Sequence, residues 1–136
     1  MKKQVIALAG LPGSGKTTAR TKEKKLRDLP FVDIADIYAE HEYISSGAAF
    51  QKLLRKAESI LATTDSVVLE AAFCDWQRVS MEAMCACKNY NFRYREFHTP
   101  AEECVKRVKK QYKNEKDKAK VKQYYEHRLE ILSWYL

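Results

Sequence analysis

A glycine-containing loop near the start of the sequence carries residue types that bind phosphate groups. Residues 10–18 read Gly-Leu-Pro-Gly-Ser-Gly-Lys-Thr-Thr, after the apolar run 5–9 and before a polar stretch compatible with a helix. Glycines let successive backbone N–H groups curl around phosphate oxygens, and the start of a helix adds further donors. The pattern G-x-x-x-x-G-K-[ST] between a strand and a helix is typical of nucleotide-phosphate sites. The alternative is a simple turn, but three of the four glycines fall in this loop, which favours the phosphate site.

Each polar residue of the loop has an expected task. Lys16 is expected to reach the β- and γ-phosphates of a nucleoside triphosphate, and Thr17 to offer its hydroxyl to Mg²⁺. Thr18 is expected to hydrogen-bond near the α-phosphate. The predicted nucleotide-binding residues are Gly10, Leu11, Pro12, Gly13, Ser14, Gly15, Lys16, Thr17 and Thr18.

Composition sets the broad class of the protein. We treat the 136 residues as one domain, residues 1–136, large enough to bury a core without disulfides. The net charge of +7 indicates an anionic partner, either nucleic acid or a phosphorylated metabolite. The sequence has neither a signal-peptide pattern nor an apolar run of the length that spans a membrane, so we expect a cytoplasmic protein with reduced cysteines and no membrane partner.

The apolar runs and turn signals predict alternating strands and helices. Expected strands cover 5–9, 66–70 and 92–98, and residues 30–36 are expected to form a second short strand that runs into a loop. Expected helices cover about 17–27, 48–62, 75–88, 100–114 and 121–136. Thr99 is predicted as the cap of the helix that starts at Pro100. This alternation predicts an α/β fold, a P-loop NTPase three-layer sandwich with a small, mostly parallel sheet of about four strands flanked by helices.

Carboxylates follow two of the predicted strands. Asp33 and Asp36 lie at the end of the second strand, and Glu70 ends the third. Because ligands of open α/β sheets bind at the carboxyl ends of the strands, these acids are expected near the phosphate loop. An acid in the position of Glu70 orders Mg²⁺ or its waters, so Thr17 and Glu70 are the predicted metal-binding residues.

The combined pattern resembles AAA-type, ATP-binding P-loop kinases of the polynucleotide kinase and zeta-toxin type. The resemblance rests on the phosphate loop, on residues 33–36, and on residues 67–73 followed by Arg78, and it spans about residues 4–113. It implies that Asp36, with Asp33 as the reserve candidate, accepts the proton of a substrate hydroxyl. It also implies that Arg78 contacts the substrate or a phosphate group.

The basic segment of about residues 100–122 resembles the lid that closes over the triphosphate in such kinases. The resemblance places Arg107 as a catalytic cation beside Lys16. A second lid arginine is expected one or two turns later, where this sequence has Lys110, Gln111 and Lys113.

The resemblance implies an ATP-dependent and Mg²⁺-dependent kinase that phosphorylates a hydroxyl of a nucleic acid, a nucleotide or a small metabolite. A GTPase is disfavoured because residues 114–117 have the wrong order for the guanine motif. The alternative from another class is a catalytically weak nucleotide-binding module that binds nucleic acid or a protein partner through its basic C-terminal region. The sequence leaves the oligomeric state open.

Overall fold

One parallel sheet carries the fold in the computed structural model, which describes residues 2–41 and 43–136. Within these residues the strands are β1 (Gln4–Ala9), β2 (Phe31–Asp33), β3 (Ser66–Ala71) and β4 (Asn91–Glu96). Their order across the sheet is β2-β3-β1-β4, and the paired strands run parallel. The central strands β1 and β3 are the most apolar runs of the sequence, as expected for strands covered on both faces. The predicted α/β fold with a small parallel sheet is confirmed.

Helices connect the strands and cover both faces of the sheet. In the described part of the chain they are α1 (Lys16–Lys22), α2 (Ile34–Glu40), α3 (Ser46–Leu61), α4 (Asp75–Cys87), α5 (Ala101–Lys113) and α6 (Lys118–Ser133).

Three of these helices differ from the prediction. Helix α6 covers Lys118–Ser133 instead of residues 121–136. Helix α1 ends at Lys22 instead of near residue 27, and the following turn buries Leu26 against Leu8 and Val68. Residues 34–40 form a helix, where the sequence suggested a loop, because the side chain of Asp33 accepts a hydrogen bond from the backbone N–H of Ala35 and caps a new helix.

The alternation of side chains along β3 decides which face each residue reaches. Val67 and Leu69 point into the main core with α2, α3 and α4, whereas Val68 joins Leu8 on the opposite face. Glu70 shares the face of Val68, because side chains two residues apart point the same way. The Glu70 carboxylate therefore reaches α1.

Helices α5 and α6 form a separate packed unit beside the sheet. Cys104 and Val108 of α5 are buried against Tyr125 and Leu132 of α6. In the part of the chain described above, we find no helix long and apolar enough to cross a bilayer.

Candidate functional site

The loop between β1 and α1 has the backbone conformation that its glycines allow. Gly13 has φ of 79° and Gly15 has φ of 107°, both in the left-handed region that L side chains rarely adopt. A Cβ atom on Gly13 would lie 2.9 Å from the backbone oxygen of Cys104. The glycine at this position therefore permits both the turn and the close approach of α5.

Lys16 lies within the loop it follows. Its ammonium group donates hydrogen bonds to the backbone oxygens of Gly10 and Leu11, the latter at 3.3 Å. Burial lowers the pKa of Lys16 to about 8, against the opposing effect of the Asp33 and Glu70 carboxylates. A lysine with this pKa carries its charge at neutral pH in a site partly shielded from water, where it attracts phosphate strongly.

Glu70 is the buried acid of the site, with no exposed surface. The Thr17 hydroxyl donates to Glu70 Oε1 at 2.7 Å, and the guanidinium of Arg20 forms an ion pair with the other carboxylate oxygen. Arg20 also stacks over the ring of Phe31, 3.5 Å from its centroid. The structure thus brings together Thr17 and Glu70, which the sequence paired as metal-binding residues.

Asp33 lies beside Glu70 in the sheet, because the two residues are register partners on β2 and β3. Burial, with the nearby Glu70 carboxylate, raises the pKa of Asp33 to about 6. Asp36 lies one turn further on, in the first turn of α2, and is more exposed. Burial and the Glu40 carboxylate raise the pKa of Asp36 as well. Both aspartates line the same cleft as the phosphate loop.

Helix α5 is held against the loop by two hydrogen bonds. Arg107 Nη1 donates to the backbone oxygen of Gly13 at 3.2 Å. The Thr99 hydroxyl donates to the backbone oxygen of Ser14 at 2.9 Å. The prediction that Thr99 caps α5 is wrong: Pro100 occupies the cap position, and the hydroxyl instead ties the start of α5 to the loop.

Arg78 lies apart from this group. Its guanidinium pairs with Glu82 at 3.2 Å and with Glu96 at 3.3 Å, and it stacks over Tyr94. Arg78 is not among the residues that line the cleft in the described part of the chain. Its role toward a substrate stays a prediction.

Sequence reasoning missed the contribution of α6. Tyr124, His127 and Arg128 line the cleft opposite the sheet. The ring of His127 packs on Tyr38 of α2 with 4.4 Å between centroids, and Arg128 Nη1 donates to Gln111 Oε1 of α5 at 3.1 Å. The spacing of Tyr124 and Arg128, four residues apart, indicates a shared helix face but not that this face lies on the cleft.

The cleft is large enough for two ligands. Its volume is about 1590 Å³, above the roughly 300–1,000 Å³ of a site for one drug-sized molecule. No group of three His, Cys, Asp or Glu side chains within residues 2–41 and 43–136 is arranged to hold a metal by itself. The oxygen atoms of Thr17 and Glu70 nevertheless suit Mg²⁺, which keeps several waters and binds through one or two protein ligands together with phosphates.

Comparison with known proteins identifies the family. The family model AAA_33, described as an AAA domain, matches residues 5–128. The chain belongs to this family. Its fold is the parallel α/β fold that the sequence predicted, and no curated protein matches the chain.

Solved structures share the fold at low sequence identity. APE1195 is 21% identical with a TM-score of 0.64, and the alignment covers 90% of this chain and 75% of that one. A protein from Chloroflexus aurantiacus J-10-fl described as a candidate kinase is 17% identical with a TM-score of 0.65, with the same coverage of 90% and 75%. A chain of the Pnkp1/Rnl/Hen1 RNA repair complex is 19% identical with a TM-score of 0.61. The alignment covers 99% of this chain but 46% of that chain, so our protein spans less than half of its length.

Proposed function

We propose that this AAA_33 protein is an ATP-dependent kinase that transfers the γ-phosphoryl group to a hydroxyl group. The observation that carries the proposal is the shared cleft, in which Asp33 and Asp36 face the same space as the phosphate loop and Lys16. A nucleotide held by the loop and an acceptor beside the aspartates would lie next to each other. Phosphoryl transfer depends mainly on such positioning and on stabilising charge.

The cationic side chains would act on the phosphate groups. Backbone N–H groups of the loop hold the phosphate oxygens, while Lys16 and Arg107 offset the negative charge of the transferred group. Arg107 is well placed for this role, because its guanidinium already contacts the backbone of the loop at Gly13. Thr17 and Glu70 would hold Mg²⁺, which when bound neutralises charge on the phosphates.

Asp36 is the proposed base for the acceptor hydroxyl. Its position in the first turn of α2 leaves the carboxylate open to the cleft, where it would orient the hydroxyl and accept its proton. Asp33 is less suited to this task, because it caps α2 and lies beside the buried Glu70. We assign Asp33 to the electrostatics around Glu70 and the loop.

The acceptors proposed are nucleic acid 5′-hydroxyl groups, nucleotides and small metabolites. Exposed basic side chains on α5 and α6 favour the first class, because they match the spaced charges of a polynucleotide backbone. These side chains are Lys106, Lys109, Lys110, Lys113, Lys118, Lys120 and Lys122. The same surface supports the second candidate function, a nucleotide-binding module that engages nucleic acid without turnover.

The test is transfer of label from γ-labelled ATP, with Mg²⁺, to a panel of 5′-hydroxyl DNA and RNA, nucleosides, nucleotides and sugars. We expect label on one acceptor class, loss of transfer in Lys16→Ala, and loss of transfer with retained ATP binding in Asp36→Asn. Asp65→Asn is the matched control, since Asp65 is exposed and precedes β3 at the other end of the sheet. Full activity in Asp36→Asn would refute the assignment of the base. Bound ATP without transfer to any acceptor would favour the binding module.

A further inference from the structure

The face of helix α5 that carries Arg107 continues with an uncharged residue. Arg107 contacts the loop, and Gln111 follows one turn later and also lines the cleft. The Gln111 side chain accepts a hydrogen bond at 3.1 Å from Arg128 Nη1 of α6. Helix α6 therefore brings a guanidinium to the position where α5 carries an amide.

We propose that Arg128 binds the γ-phosphate of the nucleotide together with Lys16 and Arg107, and so serves as a second cation of the lid supplied by α6. This inference rests on the proposed function and names a further residue of the same site. A planar guanidinium can give two parallel hydrogen bonds to phosphate oxygens, which a lysine cannot do.

The packing of α6 fixes the position of Arg128. The guanidinium lies over the rings of Tyr124 and Tyr125, with 5.2 and 5.6 Å to their centroids. Tyr125 in turn packs on Tyr112 of α5 with 5.0 Å between centroids. Because neighbouring rings and Gln111 hold the side chain, little conformational entropy would be lost when it binds a phosphate.

The guanidinium of Arg128 hydrogen-bonds to an uncharged group. Within residues 2–41 and 43–136 the polar partner found for Arg128 is the neutral amide of Gln111, whereas Arg20 and Arg95 pair with carboxylates. Arg128 and Lys16 line the same cleft. An anion bound between these two cations would be stabilised by both charges.

The γ-phosphate is the part of the nucleotide that fits this position. Lys16 reaches the β- and γ-phosphates in loops of this pattern, and Arg128 lines the same cleft from α6 rather than from the loop. Helix α6 also touches α2 through the Tyr38–His127 ring pair. Helix α6, which carries Arg128, therefore contacts both the lid helix α5 and the helix α2 of the proposed base. The transferred group would lie between these helices.

The test compares the affinities for ATP and ADP, which differ by the γ-phosphate. Titration calorimetry with Mg²⁺ would be run on the full chain, on Arg128→Gln and on Arg128→Lys, with Arg55→Gln as the matched control on the exposed side of α3. For Arg128→Gln we expect roughly tenfold weaker ATP binding and less than about twofold weaker ADP binding, as for loss of a charge-assisted hydrogen bond. Arg128→Lys should fall in between, and Arg55→Gln should match the unaltered chain.

A double variant guards against an effect on folding. In Arg128→Gln/Gln111→Arg the guanidinium is supplied from α5 at the same place, and we expect ATP affinity to recover by severalfold. Equal loss of ATP and ADP affinity, unchanged ATP affinity, or a folded double variant without recovery would each overturn the inference. Failure of the unaltered chain to bind ATP would instead refute the proposed function, so the two failures are distinguishable.

Discussion

Replacing Asp33 with asparagine should stabilise the protein at neutral pH. Burial and the nearby Glu70 and Asp36 carboxylates raise the pKa of Asp33 from an ordinary value of 3.8 to about 6, although the hydrogen bond from the Ala35 N–H and the charge of Lys16 partly oppose the shift. A raised carboxyl pKa means that the charged form costs free energy in the folded protein. Asparagine removes the charge and keeps the side-chain oxygen that caps α2.

The magnitude follows from the difference between the two pKa values. A change from 3.8 to about 6 corresponds to about 3 kcal/mol when the group is fully charged. Since Asp33 is only partly shielded from water, we expect a gain of about 1–2 kcal/mol. For a chain of this size that is about 3–8 °C in melting temperature.

The stability gained by Asp33→Asn should increase with pH. Near pH 4 and below, Asp33 is protonated when folded and increasingly so when unfolded, so the variant and the unaltered chain differ little. Between pH 4 and 6 the unfolded chain releases the proton first, so the folded state holds more protons and loses stability as pH rises. The gain of Asp33→Asn should therefore grow over this window and level off above pH 6 to 7.

Urea unfolding followed by circular dichroism at pH 4.5, 6 and 8 measures this gain, with Asp65→Asn as the exposed control. A gain that is the same at every pH, or a loss of stability at pH 8, would refute the electrostatic reasoning.

Three further predictions concern the loop and the helix α6. Gly13→Ala should destabilise the protein by about 1–2 kcal/mol, because the new Cβ meets the Cys104 oxygen at positive φ. Gly47→Ala has open space at its Cβ, so this control should stabilise the protein by up to about 1 kcal/mol. Equal melting temperatures of the two variants would contradict this. ATP affinity should fall at least about fivefold between pH 7 and 9.5, because Lys16 loses its proton above its pKa of about 8. If calorimetry finds a constant affinity, the charge of Lys16 is not needed for ATP binding. Leu132→Ala should cost about 2–5 kcal/mol in urea unfolding, since Leu132 is fully buried between α5 and α6; a loss below about 1 kcal/mol would mean that the two helices are not packed as described.

Local sequence patterns predicted the parts of the site that lie on regular elements. The loop, its flanking strand and the acid Glu70 follow from the glycine spacing and from an apolar run that ends in a carboxylate. The register of β3 then places Glu70 against Thr17 and Arg20. Alternation along a strand is a local property, so a sequence can report it.

Other parts of the site depend on contacts between distant residues. Thr99 has the sequence context of a helix cap, yet its hydroxyl donates a hydrogen bond to the backbone oxygen of Ser14. Helix α1 stops early because Leu26 turns into the core. Arg128 reaches the cleft because Leu132 and Tyr125 pack α6 against α5. No local pattern encodes that packing.

The two edges of the sheet have a consequence for self-association. The edge strand β2 has three residues, and the other edge strand, β4, carries Arg93, Arg95 and Glu96 in its six. Short or charged edges resist the addition of a strand from another molecule. Aggregation by edge-to-edge pairing is therefore disfavoured in the folded protein.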